Sequence, residues 1–442
     1  MGDAYADIPK QGGDFAKAIA VCINSGQCET LNKQVMCPSY KVSEDSQLST
    51  GGRVRLLKAA LSSSHWEQAL ADPVLSRAID LCVSCKGCKR ECDNNVDMAL
   101  IKAEYLAWRT KREGLSNRSR LFAHTPLWLH HAPWLRFLIR WRNGSPVLRK
   151  LGQKWLGISA KMPLPVPMGK TTGTTTIPTL PTTQLSPDGV ALPEVVLFVD
   201  TFTAQFEPEI AQAAQTVLQA GGYQVLLATP DKGDKQQRPL CCGRTYLAQG
   251  MVEQTKAEVS RLVAALKPHL EAGRIIVGLE ASCVLGLRDD ALALDLGDLN
   301  EVLNALSKRV FLFEEFLAKE QMAKRLNLPL QPFSEETLVH GHCHQKAVGA
   351  MKAVRRVLKL VPQLQFNMIE SGCCGMAGTF SLEAEHQEMG SEMANQGLMP
   401  ALKANPTARI VANGFSCRQQ MRCHGDHRAQ HLATLLSEAL GS

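Results

Sequence analysis

Cys82-Val-Ser-Cys85-Lys-Gly-Cys88-Lys-Arg-Glu-Cys92 decides how the first hundred residues fold. The spacing is C-x2-C-x2-C-x3-C. A cubane iron–sulfur cluster takes four thiolates; three closely spaced cysteines wrap one cluster, and the fourth is directed to a neighbouring one. A second cysteine group is therefore required, and Cys22, Cys28 and Cys37-Pro38 supply it. Cross-ligation joins Cys37 to Cys82, Cys85 and Cys88 as one complete 4Fe–4S site. Cys22, Cys28 and Cys92 remain for a second cluster, with Ser25 where regular spacing puts a fourth ligand. Three thiolates hold a 3Fe–4S cluster, or a 4Fe–4S cluster with oxygen or a nearby side chain on the fourth iron, and spacing does not choose between them. Zinc needs one tetrahedral set, fewer thiols than these interleaved groups offer.

Outward from this stretch the fold reads as all-α: short helices over 53–61 and 73–81, then a helix over 96–112. Residues 1–110 form a ferredoxin-type iron–sulfur domain on this reading. Lys86, Lys89 and Arg90 either raise the cluster potential or simply face solvent. The chain has 442 residues and 15 cysteines, seven between Cys22 and Cys92 and eight between Cys241 and Cys423. An odd, bunched set argues for metal or redox chemistry in a reducing compartment rather than a disulfide scaffold. The N-terminus lacks a basic start and an apolar core, and no apolar run reaches 18 residues, so the expected location is cytoplasmic.

Net charge is +7, but residues 102–155 carry 12 Lys/Arg against Glu104 and Glu113 and hold five of the six Trp. This segment reads as a basic helical linker packing its Trp on neighbouring domains, or as a docking surface for a membrane, which would place the protein peripherally on the inner face of the cell membrane. No nucleic-acid-binding motif accompanies the charge, so no nucleic-acid partner is expected. Residues 161–194 are rich in Pro, Thr and Gly and read as a linker, so 111–194 separates the domains. Gly169-Lys170-Thr171 lacks the upstream glycines of a phosphate loop.

From 195 the pattern is α/β. Continuous apolar runs predict buried parallel strands over 195–199, 223–228, 274–279, 337–339, 365–369 and 409–412. Helices are expected over 206–220, 249–269, 346–360 and 428–439. Cys241-Cys242-Gly243 with Cys283, and Cys373-Cys374-Gly375 with Cys417, form an internal repeat: a first lobe over 195–325 and a second over 326–442, facing a shared cleft. The fold class is mixed, an all-α iron–sulfur domain followed by a two-lobed α/β cysteine-rich domain. Cys343, Cys373, Cys374 and Cys417 are candidate ligands of a further iron–sulfur or metal site, with Cys423 as a fifth thiol. His340, His342 and His344 read as neighbours, because four thiols already suffice. In the first lobe, Cys241, Cys242 and Cys283 lack a partner near Asp200-Thr-Phe-Thr203 and read as structural. Asp200, Glu280 and Glu370 receive no catalytic role, and no G-x-G-x-x-G follows any strand.

Cys37-Pro-Ser-Tyr40, Ser49-Thr-Gly-Gly-Arg53, Cys82–Cys92, Phe198–Thr203, Phe206-Glu-Pro208, Cys241-Cys-Gly243, Gly278-Leu-Glu280, Gly372-Cys-Cys-Gly375 and Ser416-Cys-Arg418 resemble the iron–sulfur subunits of glycolate- and lactate-oxidising complexes. They also resemble the iron–sulfur half of large FAD-linked D-2-hydroxyacid dehydrogenases. The cysteine-rich repeat resembles the cysteine-rich, disulfide-reducing component of heterodisulfide reductase, departing from it where Gln420 replaces a close partner of Cys417. Asp93 stands where the family has Pro. The resemblance implies an electron-transfer component of an oxidoreductase, served by a separate FAD-binding subunit and delivering to a quinone or membrane-surface acceptor. The other readings are a thiol or disulfide reductase subunit and a non-catalytic metal-stabilised interaction protein.

Overall fold

The computed structural model describes residues 11–31, 34–168, 191–231, 233–234, 236 and 238–441. Gly169-Lys170-Thr171 and residues 169–190 of the expected linker lie outside these residues.

The N-terminal region is all-α. Ser49 caps the helix Thr50–Ser62 through the Gly52 N–H at 2.8 Å, and Asp72 caps Pro73–Asp80 through the Val74 and Leu75 N–H groups. These caps satisfy donors that a helix start leaves unpaired. The apolar faces of both helices meet Met98–Glu113 over a core of Ile19, Val54, Leu57, Ile79 and Tyr105.

Four surface helices follow, Asn117–Ala123, Thr125–His131, Leu135–Gly144 and Pro146–Leu156. Here one expectation fails. Trp108 packs at the N-terminal core, but Trp128, Trp134, Trp141 and Trp155 do not bury themselves on a neighbour; Trp141 and Trp155 are 65% and 77% exposed.

The remainder builds two four-stranded parallel sheets. The first contains β1 (Glu194–Phe198), β2 (Gln224–Leu227), β3 (Ile275–Gly278) and β4 (Val310–Leu312) in the order β2-β1-β3-β4. The second contains β5 (Thr337–His340), β6 (Phe366–Met368), β7 (Arg409–Ala412) and β8 (Ala429–Gln430) in the order β6-β5-β7-β8. β4 and β8 were not expected. Each has only two or three residues, and the closing helix begins at Leu432 rather than 428 because β8 precedes it. The helix expected over 346–360 is two pieces, Cys343–Ala347 and Met351–Leu358.

Chain order reverses between β1 and β3 and again between β5 and β7. Open parallel sheets place ligands at the carboxyl ends of strands flanking such a reversal. The lobes do not face one another across an open cleft. Helix Pro208–Ala220 packs on Leu432–Ala439, and Phe313–Met322 packs on Met351–Leu358, within one apolar core drawn from both lobes. Glu207 and Arg418 add a buried ion pair across the junction at 2.5 Å, and Arg422 joins the same carboxylate.

Candidate metal centres

Two neighbouring cavities in the N-terminal region collect all seven of its cysteines. One is lined by Cys37, Cys82, Cys85 and Cys88. The other is lined by Cys22, Cys28 and Cys92, with Ser25 beside them. The structure therefore brings together the two groups that cross-ligation pairs, and Thr50 lines both cavities.

Local sequence explains the convergence. Glu91, between Cys88 and Cys92, accepts the Val35 and Met36 N–H groups at 2.9 and 2.7 Å and so ties the Cys37 loop to the Cys82–Cys92 loop. Gly87 permits the close approach, since a Cβ there would stand 2.7 Å from the Met36 nitrogen. The start of helix Thr50–Ser62 lies between the cavities and donates to a thiol of each: Thr50 N–H to Cys37 Sγ at 3.1 Å and Gly51 N–H to Cys28 Sγ at 3.2 Å. Unpaired N–H groups at a helix start favour negative charge, which suits thiolates. The sequence signal for this role is the Ser49 cap followed by Gly51, where a Cβ would stand 3.3 Å from Cys28 Sγ, and Gly52, where a Cβ would strike the Ser46 backbone.

Burial pushes the Cys37 thiol up to about 11 despite the nearby Arg53 guanidinium, and it also raises Cys22, Cys85 and Cys88. Thiols that resist ionisation in a dry pocket need a cation to deprotonate them, and a metal supplies it. Lys89 and Arg90 are exposed, as the solvent-facing reading has it, but Lys86 is not. Lys86 is buried and paired with Asp97 at 2.8 Å, Asp289 at 3.1 Å and Asp290 at 2.5 Å, and Lys89 joins Asp289. These pairs clamp the N-terminal region to the first lobe.

The complete N-terminal thiol set abuts the second lobe. Helix Gly87–Glu91 packs on Cys343–Ala347, His344 Nε2 lies 3.0 Å from the Ser84 carbonyl oxygen, and Cys343 adds to burial in raising the Cys85 thiol. Cys343 opens the helix after β5, Cys373-Cys374 lie in the turn after β6, and Cys417 is in the first turn after β7. Their thiols are neighbours in the order Cys343, Cys373, Cys374, Cys417, and the Cys374 and Cys417 sulfurs lie within 4.8 Å of each other. Lys346 Nζ donates to the Gly372 carbonyl at 3.1 Å beside them.

The first lobe repeats this plan incompletely. Cys242 and Cys283 lie with sulfurs 2.9 Å apart, but Thr201 occupies the helix start that Cys343 holds in the second lobe. Asp200 and Glu280 act as helix caps; Asp200 accepts the Thr203 hydroxyl at 2.6 Å, and Glu280 accepts the Phe415 N–H from the other lobe at 2.7 Å. His342 caps the Cys343 helix through the His344 N–H. A separate group of Glu383, Glu385 and His386 is already engaged by Arg118, which pairs with both carboxylates.

Residues 18–96 match the family described as a 4Fe-4S dicluster domain. Over 252 residues the chain is 25% identical to a subunit of the anaerobic glycerol-3-phosphate dehydrogenase of Escherichia coli (strain K12), covering 56% of this chain and 59% of that protein. It is 22% identical over 449 residues to D-2-hydroxyglutarate dehydrogenase of the same organism, covering 91% of this chain and 42% of the relative. It is 23% identical over 194 residues to lactate utilization protein A of Bacillus velezensis, covering 43% of this chain and 75% of that protein. The chain thus spans less than two thirds of the first two relatives. Among the described residues, no helix is long and apolar enough to cross a membrane.

Proposed function

We propose that the chain is the iron–sulfur electron-transfer subunit of an FAD-dependent 2-hydroxyacid dehydrogenase complex, receiving electrons from a flavin on a separate polypeptide and passing them to a quinone or other acceptor. Cys37, Cys82, Cys85 and Cys88 would hold a 4Fe–4S cluster, and Cys22, Cys28 and Cys92 a 3Fe–4S or 4Fe–4S cluster. The thiols of Cys343, Cys373, Cys374 and Cys417 would hold a metal centre in the second lobe. Such clusters supply one-electron redox chemistry. The observation that carries the reading is the pair of cysteine-lined cavities sharing Thr50, with Cys85 beside Cys343. These contacts leave little protein between successive centres. The chain's own side chains exclude water, orient the sulfurs and donate N–H bonds to them. D-2-hydroxyglutarate dehydrogenase, matched along nearly the whole chain, supports the substrate class. The test is capture of the tagged full chain under anaerobic conditions. A flavoprotein is expected to accompany it, and a 2-hydroxyacid should bleach the cluster absorbance of the complex; capture without flavin, or a complex bleached only by dithionite, would count against the reading.

The surface helices Leu135–Gly144 and Pro146–Leu156 support an acceptor at a membrane. They pack on each other, neither has a buried residue, and no Asp or Glu occurs between Gly114 and Leu156. Exposed Trp134, Phe137, Trp141, Val147 and Trp155 sit among Arg136, Arg140, Arg149, Lys150 and Lys154. Exposed aromatic groups among cations suit the headgroup layer of an anionic bilayer. The full chain is expected to sediment with phosphatidylglycerol vesicles and not with phosphatidylcholine vesicles. The double change Trp141→Ser and Trp155→Ser should weaken this about tenfold or more. Equal binding to neutral vesicles, or no binding, would refute the docking role.

A further inference from the structure

The second lobe carries one donor that the thiol count does not predict. His340 ends β5 and is 1% exposed. Its Nδ1 lies 3.0 Å from Ser371 Oγ, while its Nε2 is buried and has no hydrogen-bond partner among the described residues. An orphaned nitrogen in a closed site is destabilising unless something binds it. The ligating atoms of His340, Cys374 and Cys417 all lie within 4.8 Å of one another. Two sulfurs ~2.3 Å from one tetrahedral ion stand roughly 3.8 Å apart, so this spacing suits donors converging on a single ion. Thiolates on different irons of a cubane stand farther apart.

The internal repeat supplies a second, independent observation. His340 pairs with Ala412 at the end of β5, and at the same register in the first lobe Phe198 pairs with Gly278. The first lobe thus has Phe where the second has His, and Thr201 where the second has Cys343. Nitrogen and leading thiol occur together in one lobe and are absent together from the other.

We propose that His340 Nε2 ligates a single iron or zinc ion together with the thiolates of Cys374 and Cys417, giving the second lobe a mixed sulfur–nitrogen centre. Donation of Nδ1–H to Ser371 Oγ leaves the Nε2 lone pair for the metal, the arrangement metal-bound imidazoles use. Ser371 is in turn held by Lys346, whose Nζ lies 3.5 Å from its Oγ. His342 Nδ1 accepts the His344 N–H, His344 Nε2 lies against the Ser84 carbonyl and Arg244, and neither ring joins this group.

The inference rests on the second lobe being a metal centre and not on the N-terminal clusters, so the two fail separately. Full-length protein is made anaerobically with natural or 15N-labelled histidine. Its second-lobe metal is defined as the iron or zinc lost in Cys374→Ser. An iron centre is read by pulsed electron paramagnetic resonance, and a zinc centre by X-ray absorption at the zinc edge. The expected result is one directly bound nitrogen, seen as an isotope-sensitive coupling for iron or as a nitrogen in the zinc shell. His340→Ala is expected to lower metal retention in the second lobe about tenfold or more while the N-terminal cluster signals persist. His340→Cys should keep the metal and lose the nitrogen. An all-sulfur shell in the wild type would overturn the proposal, as would the weak coupling of a nitrogen that only hydrogen-bonds a thiolate, or a second lobe without metal. Loss of the N-terminal signals with the nitrogen intact would instead defeat the electron-relay reading.

Discussion

Serine at position 85 is expected to remove one of the two N-terminal clusters and leave the other. Cys85 is buried and lines the cavity with Cys37, Cys82 and Cys88, whereas Cys22, Cys28 and Cys92 line the neighbouring one. A serine oxygen in that pocket ionises less readily than sulfur and is a poorer ligand for iron. Cys85→Ser should therefore lose ~4 iron atoms and the matching acid-labile sulfide per chain. One low-temperature electron paramagnetic resonance signal should disappear. Because metal binding contributes to folding, the variant should also unfold at a lower denaturant concentration. Loss of both signals together would show that the seven thiols form one cooperative unit rather than two sites.

Arg418→Ala is expected to cost ~3–5 kcal/mol of stability at neutral pH. Arg418 is buried against Glu207, with both carboxylate oxygens 3.1 Å from Nε, and it also donates to the Ala412 carbonyl at 2.7 Å. Removing it strands a carboxylate at the junction of the lobes with only the partly exposed Arg422 for company. Burial alone would raise the Glu207 carboxyl, but the two guanidiniums outweigh burial and hold it at about 2. A depressed carboxyl contributes stability in full above its unfolded value near 4.5 and loses it as pH falls through about 2. The wild type should therefore weaken over that window, and the gap to Arg418→Ala should narrow with it. Denaturant unfolding at pH 7 and at stepwise lower pH checks both, and a cost under about 1 kcal/mol at pH 7 would contradict the role assigned to the pair.

The two-lobed fold was legible because its central strands are unbroken apolar runs, which only a sheet covered on both faces tolerates. β4 and β8 escaped because Val310–Leu312 and Ala429–Gln430 are too short to show a period, and pairing with β3 and β7 makes them strands. The grouping of seven cysteines into two sets was legible because ligand spacing follows cluster geometry. The N–H donors of Thr50 and Gly51 were not, since a backbone donor leaves no residue-type signal. Lys86 misled because its partners Asp289 and Asp290 lie some two hundred residues away in sequence. The Trp segment misled because an exposed aromatic face and a buried one have the same composition. His340 was discounted on a count of thiols, and only its buried, unpartnered nitrogen distinguishes it from His342 and His344.

The account stands most directly on what the two N-terminal thiol sets hold. Protein produced and purified without oxygen should be brown, with iron and acid-labile sulfide in near-equal amounts, and dithionite should change its low-temperature electron paramagnetic resonance spectrum. Colourless protein carrying stoichiometric zinc and no labile sulfide would contradict it.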